Sequence, residues 1–340
     1  MARRARRDAV RKKLNQTLNQ DRHESTQFEL ASQPPRLCYA SFVPRLRLNQ
    51  TLHPLCALSL FFGLLTAASA QQAPSGQKVI IQDHAEYSAY TSAVNTADAT
   101  ARAEALEAFL QQYPKSVVST EALEQEMAAW QTAGDSKQVM KVAKRLLAAD
   151  SGNIRALGIV VSLDRLSAAQ GDNAALNEMC VDASGGMLEV PMWRQPADMS
   201  GTEYVTLSKL LNDIFIGAEG YCAVQQKNYS QAKEWLTRAY GMDPTNVQDT
   251  YQLAVADLES TPLDAGGFWY CARAIHLAQS AAIPQDASSM VAYCKAKYTK
   301  YHGDDDGWDA LVTSAAAEDA LPPDFATQIK PAAAPAAPQK

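Results

Sequence analysis

The stretch that decides the fold is residues 213–246, DIFIGAEGYCAVQQKNYSQAKEWLTRAYGMDPTN. Its second half carries apolar side chains at the i, i+3, i+4, i+7 and i+8 spacing of one helical face, namely Ala232, Trp235, Leu236, Ala239 and Tyr240. Lys227-Asn228 precedes that half, and Gly241-Met242-Asp243-Pro244 follows it, which are turn signals. Because a short connector places successive helices antiparallel, the stretch predicts a helix–turn–helix unit.

The same pattern extends over most of the chain. From Glu86 onward the apolar spacing is helical, and no run alternates with the period of a strand. No proline occurs between Pro114 and Pro191, which is typical of mostly helical chain. Separations of three and five residues recur in three sets, which are Leu106/Phe109/Pro114, Ala143/Leu146/Ser151 and Leu236/Ala239/Pro244. The sequence therefore predicts an all-α fold of repeated helix–turn–helix units.

Five residues of the opening stretch form a recognisable set: Gly220, Ala232, Leu236, Ala239 and Pro244. In this set Gly220 lets two helices approach closely, and Ala232 is its small partner. Together they resemble the tetratricopeptide repeat signature. The resemblance covers 86–182 and 203–300, but the earlier units depart from it, with Arg102, Val139 and Ser151 at signature positions. It implies a right-handed solenoid of stacked antiparallel units; a plain helical bundle is the alternative.

The resemblance also implies a role. Stacked helical repeats leave a continuous concave groove, and such modules bind a peptide or protein segment there without chemistry of their own. The groove would be lined by the first helix of each unit, and the candidate residues are Glu219, Ala223, Gln226, Tyr251 and Ala254. We therefore expect an interaction scaffold, with a role in envelope assembly as one setting.

The charge is divided unevenly along the 340 residues, whose formal net charge is −6. Residues 1–70 hold 11 Lys/Arg against 4 Asp/Glu, whereas residues 71–340 hold 20 against 33. An acidic body favours a basic or neutral partner and disfavours naked nucleic acid. The composition as a whole excludes a collagen, a disulfide knot, a polytopic membrane protein and a wholly disordered chain.

The basic leader ends in an export signal. Arg45 and Arg47 precede an apolar run over 55–68, which ends in Ala68-Ser69-Ala70. This order is typical of a secretory signal peptide cleaved after Ala70, and the run is shorter than the roughly 20 residues that span a bilayer. An uncleaved anchor in the inner membrane is the alternative. Because ordinary signals lack a long polar extension, we expect translation to begin near Val43, with 1–42 over-extended.

The signal and the repeats together predict an exported protein, periplasmic or secreted. The predicted organisation is a leader with signal peptide (1–70), a linker (71–85), divergent helical repeats (86–182), a Gly/Pro interrupting loop (183–202), helical repeats (203–322) and a disordered Pro/Ala-rich tail (323–340). The loop holds Met187, Leu188, Met192 and Trp193, so it either meets a partner or plugs the core with Trp193.

Four of the six cysteines would remain after cleavage: Cys180, Cys222, Cys271 and Cys294. An oxidising compartment allows two disulfides among them. Cys271 and Cys294 lie at matching heights on consecutive predicted helices, so they are the candidate pair. The distance between neighbouring helix axes makes that bridge tight, and buried free thiols are the alternative.

No motif of catalysis, cofactor binding or metal binding stands out, so the sequence predicts neither an enzyme nor a cofactor. Three successive aspartates lie between His302 and Trp308, where a calcium site and a simple turn are both open, and the spacing favours the turn. The rival function is a helical domain that binds or acts on cell wall or polysaccharide, for which the aromatic platforms would be Trp193, Trp269 and Trp308.

Overall fold

The computed structural model describes residues 80–196, 199–281 and 284–332. Every regular element within those ranges is a helix, so the all-α prediction is confirmed. The predicted leader, signal peptide and cleavage site at Ala70 lie outside the described residues. No helix in the described ranges is both long and apolar enough to cross a membrane.

The helices follow one another with short connectors. In chain order they are α1 (His84–Val94), α2 (Ala99–Gln112), α3 (Ser119–Ala133), α4 (Ser136–Ala149), α5 (Ile154–Ala169), α6 (Asn173–Glu189), a 3-10 turn (Val190–Met192), α7 (Gly201–Gln225), α8 (Tyr229–Met242), α9 (Val247–Glu259), α10 (Gly266–Ser280), α11 (Pro284–His302), α12 (Trp308–Ala317) and α13 (Phe325–Gln328).

The helix ends follow from local side-chain chemistry. Asp98, Asp135 and Asp172 each accept a hydrogen bond from backbone N–H groups in the first turn of the helix they precede. These bonds satisfy donors that have no partner within the helix. At the other end of α3, Gly134 takes the left-handed conformation, with φ 78°, which stops the helix.

The helices pack largely in sequence order. Contacts join α1 to α2, α2 to α3 and α3 to α4, and further along they join α8 to α9, α9 to α10 and α10 to α11. The stripes at 106–110 and 139–147 are the buried faces of α2 and α4. Sequential packing of amphipathic helices is what the repeated apolar spacing dictates.

The described chain forms two compact units. The N-terminal unit takes in the described residues up to Leu163 together with Arg194–Tyr204. The C-terminal unit takes in Asp164–Trp193 and the described residues from Val205 onward. The largest fully buried side chains of the C-terminal unit include Trp269, Tyr251 and Phe215.

The predicted interrupting loop over 183–202 needs correction. Helix α6 continues through Gly185-Gly186 to Glu189, and α7 already begins at Gly201, so of the described residues of the predicted loop only 193–196 and 199–200 lie outside helices and the 3-10 turn. The physical reason is packing against α7. A β-carbon on Gly186 would collide with the ring of Phe215, so the glycine permits a close approach that outweighs its poor helix propensity.

The predicted boundary of the tail also needs correction. Residues 323–332 are described, they include α13, and Phe325 and Ile329 are buried against the helices. Two large apolar side chains make this docking favourable, although Pro and Ala dominate the residues beyond. Residues 333–340 lie outside the described part of the chain. At the other end, the predicted linker 71–85 gives way to α1 at His84.

Candidate functional site

The five predicted groove residues do not form one exposed surface. Ala223, Tyr251 and Ala254 are buried, while Glu219 and Gln226 are half-buried. Glu219 accepts a hydrogen bond from the hydroxyl of Ser184 on α6, and its burial raises the pKa of its carboxyl. The three buried residues therefore belong to the core, where their packing stabilises the fold and offers no contact to a partner.

The reason lies in the surroundings of α9. Ten consecutive residues of this helix, from Asp249 to Leu258, are buried. Ten residues make almost three turns and so point in every direction around the axis. Helix α9 is thus enclosed on all sides, and no open groove runs along it.

A cluster of polar side chains closes over the start of α9, and we call it the aspartate cluster: Arg165, Asp213, Tyr221, Asn246 and Asp249. Arg165 Nη2 donates to Asp249 Oδ1 at 2.5 Å, and Asn246 Nδ2 donates to Asp249 Oδ2 at 2.9 Å. The Arg165 guanidinium also lies over the Tyr221 ring, 5.5 Å from its centroid. Each charge on Asp249 and Arg165 is thus paired, as buried charges must be.

Asp213 lies half-buried in the aspartate cluster. Burial, and then the negative charges of Asp249 and Asp243, raise the pKa of its carboxyl to about 7, against the opposing effect of Arg165. Its Oδ1 atom is buried with no hydrogen-bond partner among the described residues. At neutral pH this carboxyl is therefore divided between its two protonation states.

A second cluster joins α9 to α11, and we call it the Glu259 cluster: Tyr229, Tyr251, Glu259, Tyr293 and Lys297. The Tyr293 hydroxyl donates to Glu259 Oε1 at 2.6 Å, and Lys297 Nζ lies 2.7 Å from the same oxygen. Burial and then the Glu259 carboxylate raise the pKa of Tyr293. Tyr251 packs edge-on against Tyr293, with ring centroids 6.1 Å apart. Of the predicted groove residues, only Tyr251 belongs to this cluster.

The N-terminal unit holds a buried carboxylate of its own. Arg145 Nη1 lies 2.6 Å from Glu107 Oε2 and 3.6 Å from Glu126 Oε2. Glu107 takes the closer contact, and burial together with the Glu107 charge raises the pKa of Glu126 to about 7. One arginine between two carboxylates is a structural arrangement that needs no ligand.

The residues predicted as repeat positions lie at the contact of α7 with α8. A β-carbon on Gly220 would lie 2.5 Å from Leu236 Cγ, so glycine is needed for the helices to pack this closely. Ala232, Leu236 and Ala239 are buried on α8, and Pro244 is half-buried in the connector to α9. Gly217 plays a matching part toward α9, since its β-carbon would lie 2.5 Å from Asp249 Oδ2.

Two disulfides lie in the C-terminal unit. Cys271 Sγ and Cys294 Sγ are bonded at 2.05 Å, and their Cα atoms are 6.0 Å apart. The second pair, Cys180 and Cys222, joins α6 to α7 with Cα atoms 5.9 Å apart. Sequence reasoning named only the first pair. The Cys180–Cys222 pair could be predicted only if α6 was known to continue beside α7, whereas Gly185-Gly186 had indicated that the helix ends.

The acidic stretch between His302 and Trp308 forms a turn. Asp305 Oδ2 pairs with Lys295 Nζ at 2.8 Å, and Asp304 Oδ1 accepts from the Asp306 backbone N–H. The described residues contain no group of three or more His, Cys, Asp or Glu side chains placed to hold a metal ion. Trp269 and Trp308 are buried, so neither ring is free to stack on a sugar, and Trp193 is half-buried.

Exposed apolar side chains of the C-terminal unit gather around the first half of α7, and we call this group the α6–α7 patch: Leu188, Met192, Val205 and Met242. Their exposed fractions are 40%, 41%, 49% and 40%. Val205 lies on α7 itself, and Met242 Sδ lies 3.8 Å from Asn212 Nδ2 on the same helix.

The register of α6 against α7 places the other two members of the patch. Cys180 bonds to Cys222, Ser184 to Glu219, and Gly186 packs on Phe215. The partner's number falls as the α6 number rises, so the helices are antiparallel, and Leu188 and Met192 lie beside the N-terminal half of α7. Large apolar side chains that stay exposed around one helix are a candidate contact surface.

The fold and these sites define a class: an all-helical protein with sequentially packed helices, a disulfide-bonded C-terminal unit and buried polar clusters that hold helices together. Comparisons of the chain with protein-family models, with curated proteins and with solved structures found no significant match.

Proposed function

We propose that the mature chain is an exported protein–protein interaction module that resembles a tetratricopeptide-type solenoid and contacts its partner through the α6–α7 patch. The observation that carries the proposal is the patch, four exposed apolar side chains around one helix. Among the described residues of the C-terminal unit, these four are the large apolar side chains that stay exposed, and such a surface is stabilised when a partner covers it.

Contacts between alternate helices support the repeat architecture. Gly217 of α7 packs on Asp249 of α9, and Tyr251 and Glu259 of α9 contact Tyr293 of α11. In stacked helix hairpins the first helices of successive units are neighbours in this way. Because α9 is enclosed, we place the partner on the α6–α7 patch and leave the expected groove out of the proposal.

The charge of the chain selects the partner's chemistry. Residues 71–340 hold 33 acidic against 20 basic side chains. A protein that is basic or neutral around an apolar contact fits this surface best. No reaction is assigned to the module, and Asp249, whose two oxygens are held by Arg165 and Asn246, is enclosed by helices.

The disulfides support export. All four cysteines beyond residue 70 are paired, and disulfides persist in oxidising compartments such as the periplasm or the extracellular space. We therefore place the protein in the periplasm or outside the cell after cleavage at Ala70, with an uncleaved membrane anchor as the alternative.

The test is comparative affinity capture. Residues 71–340 are immobilised as the unchanged chain, as Leu188→Glu with Met192→Glu, and as Val117→Glu. Val117 is the control because it is an apolar side chain that is 62% exposed, like the patch residues, but it lies in the N-terminal unit, away from the patch. We expect an envelope protein to be enriched by the unchanged chain and by Val117→Glu, and at least tenfold less by the double variant.

The result tests both the α6–α7 patch as the contact surface and protein binding as the function. Enrichment that the double variant retains would exclude the patch as the contact. Release of glycan by the unchanged chain would instead support the cell-wall alternative.

A further inference from the structure

The segment 318–332, which we call the C-terminal strap, is held at both ends by polar contacts. At its start, the Tyr240 hydroxyl donates to the Asp319 carbonyl, and the Arg273 guanidinium pairs with the Asp319 carboxylate. At its end, the Ala332 N–H donates to the Tyr301 carbonyl at 2.7 Å, and His302 Nδ1 lies 3.0 Å from the Lys330 carbonyl oxygen. These contacts recognise main-chain atoms and one acidic side chain.

Between its ends the strap inserts two apolar anchors. Phe325 and Ile329, four residues apart, are buried, while Asp324 and Thr327 between and beside them are exposed. The anchors enter a pocket formed by α10, α11 and α12, whose apolar lining includes Trp269, Tyr298 and Leu311. Main-chain hydrogen bonds combined with spaced apolar anchors are the way a groove binds a peptide.

The strap fills its pocket incompletely. A cleft of about 400 Å³, open to solvent on one side, lies between the strap and the helices, and Phe325, Ile329, Gln328 and Glu318 line its strap side. An enclosed cavity of about 150 Å³ holds a benzene molecule, so this cleft has room for a further large side chain against its apolar wall. A segment with a larger apolar residue at the position of Gln328 would therefore pack better than the strap does.

We propose that this pocket is a second peptide-binding site, occupied in the resting protein by the strap. It accepts from a partner a segment with an acidic residue, an aromatic residue six positions later and an aliphatic residue four positions after that. This is the pattern of Asp319, Phe325 and Ile329. The site differs from the α6–α7 patch, so the two proposals stand or fall separately.

Arg273 is the reason that a segment bound in this pocket needs an acidic residue at the position of Asp319. Its side chain is only 6% exposed, and Nη1 also donates to the Ala315 carbonyl at 3.2 Å at the end of α12. Its Nε is buried without a hydrogen-bond partner among the described residues. Displacing the strap with a segment that lacked the acid would leave a buried charge unpaired, which is strongly unfavourable.

The strap competes through its tether. A covalently attached segment has an effective concentration on the order of millimolar, so a free segment of equal intrinsic affinity cannot displace it at micromolar concentration. A partner gains by filling the cleft, since each additional buried CH₂ group strengthens binding about fourfold. The pocket therefore distinguishes a better-fitting partner from the chain's own strap.

The test uses residues 71–340 and a fluorescent synthetic peptide of residues 317–332. Three proteins are compared: the unchanged chain, Phe325→Ala with Ile329→Ala, and Lys330→Ala, whose side chain is exposed on the strap. We expect the peptide to bind the double variant at least tenfold more tightly than the other two proteins. A peptide with Asp319→Asn should bind the double variant at least tenfold more weakly than the native peptide.

Equal affinity for all three proteins, or no binding by a double variant with native circular dichroism, would overturn the proposal. If the double variant does not fold, hydrogen exchange on the unchanged chain decides. A large excess of a peptide with Gln328→Leu should speed exchange of the strap amides, and unchanged exchange overturns the proposal.

Discussion

Gly217 is the residue on which the packing of α7 against α9 depends most directly. A β-carbon there would lie 2.5 Å from Asp249 Oδ2 and 2.8 Å from Oδ1. Asp249 cannot move aside, because Arg165 and Asn246 hold its two oxygens. The ordinary gain in helix propensity from Gly to Ala is therefore reversed.

We predict that Gly217→Ala lowers the free energy of unfolding by about 2 kcal/mol, measured by urea denaturation. Gly241→Ala is the matched control, because a β-carbon on Gly241 in α8 meets nothing within 4 Å. That control should be neutral or stabilising by up to about 1 kcal/mol. Equal effects of the two substitutions would mean that α7 shifts freely against α9.

Asp213 gives the C-terminal unit a dependence on pH. Its pKa in the folded chain, about 7, lies above the ordinary carboxyl value, so between about pH 4 and pH 7 the folded chain binds more protons than the unfolded chain. The contribution of this group to stability is therefore full at low pH and falls as pH rises to 7.

We predict that Asp213→Asn removes this loss. Relative to the unchanged chain, the variant should gain on the order of 1 kcal/mol in free energy of unfolding between pH 5 and pH 8. Asp309→Asn, an exposed carboxylate on α12, is the control and should show the same small effect at both pH values. A difference between Asp213→Asn and the unchanged chain that stays constant with pH would contradict the assignment.

At the scale of elements, the sequence predicts helices well where local signals agree. The 213–246 stretch has its apolar stripe, its turn residues and its small Gly220–Ala232 pair in register, and α7, α8 and their connector follow. The prediction from sequence fails where a contact between residues far apart in the chain determines whether a helix continues. Gly185-Gly186 reads as a break, yet α6 continues because Phe215, some thirty residues later, packs on Gly186.

The groove residues show the same limit. A helical stripe indicates which face of α9 is apolar, but Arg165 lies 84 residues before Asp249, and only the folded chain brings it over that helix. One local signal was present, since Asp213, Gly217 and Gly220 share a face of α7 and a mid-helix glycine indicates a close approach.

The α6–α7 disulfide is the element-scale link that we expect to be most important for stability. Replacing Cys180 and Cys222 by Ala should cost about 4 kcal/mol in free energy of unfolding, because the bridge closes a segment of 42 residues in the unfolded chain. The Cys271/Cys294 pair, with a separation of 23, should cost about half a kcal/mol less. Urea denaturation of both alanine pairs checks the order, and a smaller loss for the first pair would contradict the entropic argument.

At the scale of the whole molecule, the paired cysteines and the basic leader make one joint prediction about the native protein. The chain has six cysteines, of which Cys38 and Cys56 precede the predicted cleavage site and four are paired beyond it. Cleavage after Ala70 in an oxidising compartment should leave a chain that begins at Gln71 and has no free thiol after denaturation. An uncleaved chain that begins at Met1 would keep both leader cysteines.

Intact mass and thiol titration of the denatured native protein measure these two quantities together. A start near Val43 with an uncleaved signal gives one leader thiol, Cys56, and a start at Met1 gives two. Four thiols in a chain that begins at Gln71 would mean that the signal is cleaved but the disulfides are not formed. The disulfides would then no longer support export. One sample of native protein therefore distinguishes a cleaved chain from an uncleaved one, and for an uncleaved chain the mass and the thiol number also distinguish a start at Met1 from a start near Val43.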